Sequence, residues 1–510
     1  QFQRTSWGGN SCRNSAPMLS RKPKKKKKTS VSVPDPIGAV VASLQSHPTD
    51  PGVIQSGAAA LAQLVAQNPP GGERASDLGS LELLVQFLNA HKQQPVLHSH
   101  VCSALGKLGS SGSPVAGSRA AASGVVGAIV ASLKSNPQDI NVQQAGLRAI
   151  GELVRSSEAC AEMCATSGAV EAVLGALKVH ERVSEVVVIA LLTLGALVRA
   201  HEGCAKKAGA PACAAIQAAL SAHPHDVAVQ ANGCGALCDL ARASVEGTVS
   251  SVASTQCVVK AMKLHPCQAR VASLGCAALG ALARRSAVSA EAVGAGGGVD
   301  SVLGAVAFAK ITASPSTAAN GCGALADMCK LCPANACRAG AGCGPEAVVV
   351  LMQSYANVAA VCKHACRALS ALAKHNEGTA VQAWAAGGVE RVVKVIDAFP
   401  SDPSVLSEAC CALADIISGA NSQVEKRLVL SAAVTATIAL KRDNPVEVHQ
   451  HALRALCLLL TAGGKAAAAA ASSYSARDKV VASMHTHAAH SGLQQSGNRA
   501  ILLLSREARQ

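Results

Sequence analysis

The chain has 510 residues, a net charge of +15 and 49% apolar residues, but only 2% aromatics. Large rings usually anchor a compact core, so this composition disfavours a globule with a few anchors and suits small side chains packed over many helix–helix contacts. Charge excludes less. Nine of the 46 Lys and Arg, and none of the 31 Asp and Glu, fall in the first 30 residues, which leaves the remainder at only +6 and gives a nucleic-acid-binding body little support.

Residues 1–35 read as a disordered basic tail. Its centre is Arg21, Lys22, Lys24, Lys25, Lys26, Lys27 and Lys28, a self-repelling polycation that resembles a single-cluster nuclear localisation signal. The same run suits contact with anionic lipid, at about 1 kcal/mol per basic residue, or a plain solubilising role. Thr29, Ser30 and Ser32 beside it are candidate phosphorylation sites. The first residue is Gln, so a targeting segment ahead of it is left open.

From residue 36 onward one phrase recurs, as in Ala-Ala-Leu-Ala-Gln-Leu or Gly-Ala-Leu-Cys-Asp-Leu. Its central residue falls at Leu61, Leu105, Ile150, Leu194, Leu237, Leu279, Leu325, Leu369, Leu413, Leu456 and Ile501, every interval within two residues of 44. Self-similarity at such a period is the mark of a repeat architecture. Each repeat shares one grammar. A short run such as Glu158 to Thr166 comes first. A Gly then opens the middle of the unit (Gly124, Gly168, Gly209, Gly298, Gly388) and an amphipathic run follows, ending at His, Asn or Pro. Pro stops a helix because it lacks the backbone donor. A second amphipathic run carries the anchor, with apolar spacings of three and four, the helical period. Beyond about residue 461, Gly463-Gly464-Lys465 and an Ala run to Ala471 interrupt the pattern, which marks the last repeat as weak or capping.

Three helices per unit, a Gly before the second and Ala-Leu-x-x-Leu in the third, resemble the armadillo repeat over residues 36–510. The His that ends the second helix and the Val-Gln that opens the third are similar to armadillo regions of leucine-rich-repeat kinases and to vacuolar armadillo proteins. The resemblance implies an all-α, right-handed α-solenoid of about eleven armadillo-type repeats, with the third helices lining a concave surface that binds an extended protein segment. In the family's nuclear import adaptors that surface carries Trp two residues before the anchor and Asn two after it. Neither occurs at these positions here, which counts against an import receptor. Instead Asp239, Asp327 and Asp415 sit two residues after the anchor at 88-residue intervals, with Glu152 in register, while Arg148, Arg367, Arg454 and Arg499 sit two before it. If the carboxylates face the groove they form an acidic ladder for a basic, extended partner segment; otherwise they are ordinary solvated positions on polar faces.

Other motifs are weaker. Cys329, Cys332, Cys337 and Cys343 form the one metal-like cluster, but two, four and five intervening residues do not make paired C-x₂₋₄-C units. The 21 cysteines of so long a chain read as small buried hydrophobes in a reducing compartment. His485, His487 and His490 read as solvated helix. His47, His91, His180, His223 and His265 read as helix terminators bonding the last carbonyls. No phosphate-binding glycine motif, nucleophile elbow or H-E-x-x-H is present, so no enzyme, cofactor or metal is expected. The most apolar stretch, Val186 to Val198, is 13 uncharged residues, short of the ~20 a bilayer needs, so no transmembrane span is expected. The sequence therefore predicts a protein-binding scaffold in the cytoplasm or nucleus. Nuclear transport, or a membrane-surface adaptor using the polylysine run, is the alternative.

Overall fold

The computed structural model describes residues 35–111, 114–243, 251–420, 426–441 and 443–506. The predicted basic cluster Arg21, Lys22, Lys24, Lys25, Lys26, Lys27 and Lys28 lies outside them. Within the described residues there are 28 helices and no strand, in the order the periodicity predicts. The fourth repeat shows the pattern: Glu158–Ser167, then Ala169–Val179, then Ser184–Ala200. The first two of these bend by 68° at their junction, and the corresponding pair in the seventh repeat by 71°. The described residues form an α-solenoid of about eleven repeats, with three separate helices in the second to fourth and the seventh to ninth.

The core is a continuous seam. The ten anchors from Leu61 to Leu456 are all fully buried, and Ile501 in the last unit is half-buried. Third helices stack directly, each on the next, from Pro51–Gln67 to Ser491–Arg506. Around the anchors lie Ala, Gly, Val and Cys. Twenty cysteines are free among the described residues and most are buried. Burial pushes the thiols of Cys102 and Cys234 up to about 12, which makes them packing groups rather than nucleophiles.

Three local devices recur along the stack. The first is the turn between first and second helices, where Gly79, Gly124, Gly168, Gly297 and Gly387 take positive φ. The sequence singled out Gly298 and Gly388, but the left-handed residue is the one before each. A Cβ on Gly298 would instead meet the carbonyl of Val293 at 2.7 Å, and one on Gly388 that of Ala383 at 2.5 Å. Gly209 takes φ 33, ψ −131, a region open only to glycine, and makes the kink between two helices that together span Glu202 to Ala222.

The second device is a polar side chain seven residues before the anchor. Gln143 Nε2 donates to the carbonyls of Leu133 and Asn136, and Gln230 Nε2 to those of Leu220 and His223. Each closes the exposed end of the second helix onto the third.

The third is the histidine row. The expectation was that each His bonds its own helix end, and His47 does so. His180, His223 and His265 reach further: their Nε2–H groups donate to the carbonyls of Pro137, Glu181 and Pro224, one repeat earlier, at 2.8, 2.6 and 2.8 Å. They tie successive loops together.

The tenth and eleventh units join through one helix, Val446–Ser472. By length and composition it is apolar and long enough to cross a membrane, so the expectation from apolar runs alone needs amending. Its backbone breaks at Gly464, with φ 52 and ψ −140. Its first part holds Leu453, Leu456, Leu459 and Leu460 buried, in the manner of every other third helix.

Two stability predictions follow from this packing. Leu237→Asp places a charge in the fully buried seam, at a cost above about 4 kcal/mol. Because neighbouring interfaces are shared, a far-ultraviolet melt should show several repeats lost, and a wild-type melt would contradict the stacking. Conversely, Cys343 and Ser475 occupy left-handed positions at φ 56 and 57 where other repeats place Gly. Cys343→Gly and Ser475→Gly should each stabilise by about 1 kcal/mol, read as a raised midpoint in chemical denaturation.

Candidate functional site

One helical face recurs along the stack, built from residues five and two before the anchor and two and five after it. These spacings of three and four keep the side chains on one side of the third helix. Three cavities open on that face. The first, about 400 Å³, lies between the second and third repeats and is lined by His100, Lys107, Gln144, Arg148 and Glu152 among others. The second, about 500 Å³, crosses the fourth to sixth repeats over Leu192, Gly195, Arg199, Asn232, Gly235, Asp239 and Leu274 and reaches Ser316 in the seventh. The third, about 440 Å³, lies between the eighth and tenth, beside Lys374, Asp415 and Arg454. We call this face the trough.

The predicted acidic residues are on this face, but each is already engaged. Asp239, Asp327 and Asp415 are 7%, 4% and 2% exposed. Asp239 is paired with Arg199. Asp327 is held from both sides, by Arg367 and by Arg284 at 2.5 Å. Asp415 accepts from Arg454 at 2.6 Å and from the Ser370 hydroxyl at 2.6 Å. Glu152 accepts from Lys107 at 2.5 Å. These contacts run from one repeat to the next, so the carboxylates form inter-repeat clasps rather than a free acidic ladder. Of the predicted cations, Arg367 and Arg454 belong to the clasps, whereas Arg148 is exposed in the first cavity.

Sequence reading missed the residue beneath each clasp. A Cβ on Gly195 would lie 2.8 Å from Asp239 Oδ2, and Cβ atoms on Gly106 and Gly280 would lie 3.3 Å from the Glu152 and Asp327 carboxylates. The position one past the anchor is therefore Gly when the next repeat carries the acid, or, at Ser370, a hydroxyl that donates to it. The signal was available as a co-alternation: Gly195 with Asp239, Gly280 with Asp327, Ser370 with Asp415.

Between the clasps the trough has a low apolar floor. Gly235 sits there with Leu192, which is 46% exposed, and Leu274. A Cβ added to Gly235 would make only ordinary contact with Leu274, at 3.7 Å. Asn232 is 5% exposed; its Oδ1 accepts from Arg270 at 2.6 Å, while its Nδ2 has no partner. His364, on the same face, has an unpartnered Nδ1, and burial lowers its pKa, helped by Lys363 and Arg284.

The cysteine cluster does not converge. Cys329 and Cys332 are buried, whereas Cys337 and Cys343 are exposed. Among the described residues no group of three or more His, Cys, Asp or Glu is placed to hold a metal ion.

No family model and no curated protein matches this chain. Solved structures do. An engineered protein from a structural genomics programme matches with a TM-score of 0.60 at 21% identity, covering 92% of this chain and 99% of that one. A structure from work on a conserved phosphorylation switch controlling the interaction between cadherin and beta-catenin matches with a TM-score of 0.60 at 14% identity, covering 92% and 91%. The fold is armadillo-like. At these identities the likeness is one of fold.

The clasps make two predictions. Asp327→Ala leaves the three-quarters-buried Arg367 without its partner and should cost about 3 kcal/mol, whereas Arg284→Ala removes a mostly exposed partner and should cost below about 1 kcal/mol in the same denaturation series. Asp239 behaves differently: burial pushes its pKa up against the pull of Arg199 and Arg242. A raised folded pKa means the native state binds the proton more tightly than the unfolded chain. That contribution is present at low pH and lost as pH rises through the folded pKa. Asp239→Asn should therefore be at least as stable as the parent at neutral pH, with the two stabilities converging below about pH 4.

Proposed function

We propose that the chain is a non-enzymatic protein-interaction scaffold that holds an extended segment of a partner along the trough. The observation that carries this reading is the alignment of three open cavities on one face of successive third helices, with small or apolar floors and polar walls. A compact small-molecule site would be a single enclosed pocket; a row of shallow ones suits a chain that places side chains at intervals.

The predicted binding residues enter this reading in two roles. Arg148 is an exposed contact. Glu152, Asp239, Asp327 and Asp415, with Arg367 and Arg454, hold neighbouring repeats at a fixed spacing and so set the pitch of the trough. The cadherin and beta-catenin interaction named for the fold neighbour is one between proteins, which agrees with a scaffold role.

A plug tests the proposal. Gly235→Trp fills the floor of the central cavity, while Gly127→Trp, at a site with nothing within 4 Å of its added Cβ, serves as control. Peptides selected from a displayed random library on the full chain should lose at least tenfold in affinity for Gly235→Trp and keep it for Gly127→Trp. Failure to select any peptide, or equal loss in both folded variants, would refute the trough as the site.

A further inference from the structure

The residue five past the anchor forms a row that none of the predicted sites includes. It is Arg155, Arg199, Arg242, Arg284, Lys330 and Lys374 in the third to eighth repeats without interruption. All six are exposed. They stand at the carboxyl ends of successive third helices. Two of them open directly into the trough, Arg199 in the central cavity and Lys374 in the third.

Beneath this row the acidic side chains are buried and neutralised. Asp239 and Asp327 hold Arg199 and Arg284 by one nitrogen each, Nη1 and Nη2, while more than half of either arginine side chain stays exposed. A guanidinium has five N–H donors, so each clasp fixes a cation in place and leaves donors turned outward. Three further carboxylates, Glu158, Glu202 and Glu377, follow row members by three residues and open the next first helices, Glu377 lining the third cavity beside Lys374. Glu202 is engaged by Lys206 at 2.6 Å.

We infer that the trough binds an acidic, extended polypeptide segment whose carboxylates or phosphates meet the row from Arg155 to Lys374, one anionic group on about every third residue. This rests on the scaffold reading and replaces the basic partner expected from the sequence. The interval follows from two lengths. Packed helices lie about 8–10 Å apart, and an extended chain advances about 3.3 Å per residue, so one rung corresponds to three residues. Single-stranded nucleic acid fits less well, because its bases ask for aromatic platforms and the chain has two Trp, two Tyr and four Phe in all.

The test uses the full chain and a fluorescent peptide of six Asp-Ser-Ala triplets. At low ionic strength it should bind and weaken steeply with added salt. The quadruple variant Arg155→Ser, Arg242→Ser, Lys330→Ser, Lys374→Ser spares both clasped arginines and should lose about tenfold or more. If its melt differs from wild type, the two double variants, Arg155→Ser with Arg242→Ser and Lys330→Ser with Lys374→Ser, replace it. A peptide of the same composition with its six Asp contiguous should bind several-fold more weakly, and the Lys counterpart not at all. The inference is overturned if the Asp triplet peptide fails to bind, if it binds the variant as well as wild type, if the contiguous peptide matches it, or if oligothymidylate displaces it more tightly than the peptide itself binds. Selection of non-acidic peptides by the trough would overturn it while leaving the scaffold reading intact.

Discussion

Successive third helices touch almost backbone to backbone. A Cβ on Gly106 would lie 2.8 Å from the Cα of Ala149, and one on Gly280 would lie 3.0 Å from the Cα of Ala324. This approach needs residues without bulk on the facing surfaces, which explains why a chain so rich in apolar residues has almost no aromatics. It also fixes everything stacked on it. Where two backbones meet so closely, a side chain two residues past one anchor has no room beside the previous helix unless that helix offers Gly or a small hydroxyl. The clasps, the cavities and the row of exposed cations are consequences of that single spacing, repeated along the stack.

The fold was legible because burial is periodic and the period is unambiguous. Leu237 and its counterparts must face the seam in every repeat, and a 44-residue interval with Gly and Pro at matching offsets admits few other architectures. Turn geometry was legible only to within a residue. In Gly297-Gly298 and Gly387-Gly388 either glycine satisfies a pattern search, but the first supplies positive φ and the second clears a carbonyl. Composition does not separate two glycines wanted for different physical reasons.

The site was legible in part. Register placed Asp239, Asp327 and Asp415 on one common face, because side-chain direction in a helix follows from spacing alone. Their burial was not legible, since it depends on the neighbouring helix. A carboxylate at such a position is exposed if the facing residue is large, and sinks between helices if that residue is Gly195, Gly280 or Ser370. The charge on the groove therefore inverts between one-dimensional and three-dimensional readings. Acids that look free are paired, and arginines that look like ordinary helix ends remain exposed. The histidines misled in a milder way: His180, His223 and His265 do end helices, yet their bonds cross to the previous repeat, a partner some 42 residues away that no local rule names.

A cation at a helix carboxyl end is worth about 0.3–1 kcal/mol against the macrodipole, so each member of the row has a structural reason to exist on its own. That reason applies equally to every third helix. The first and second repeats place Ala66 and Ser110 at this position, the ninth and tenth place Ser418 and Thr461, and the eleventh returns to a cation with Arg506, although the third helix of the ninth repeat, Pro403–Gly419, is 17 residues long like Ile140–Ser156 in the third. Helix stability alone does not account for an unbroken run of cations through the third to eighth repeats. A continuous run over the middle of the stack is what a ligand of finite length would impose. The arginines fixed by buried carboxylates then present charges whose ordering cost is already met before any ligand arrives.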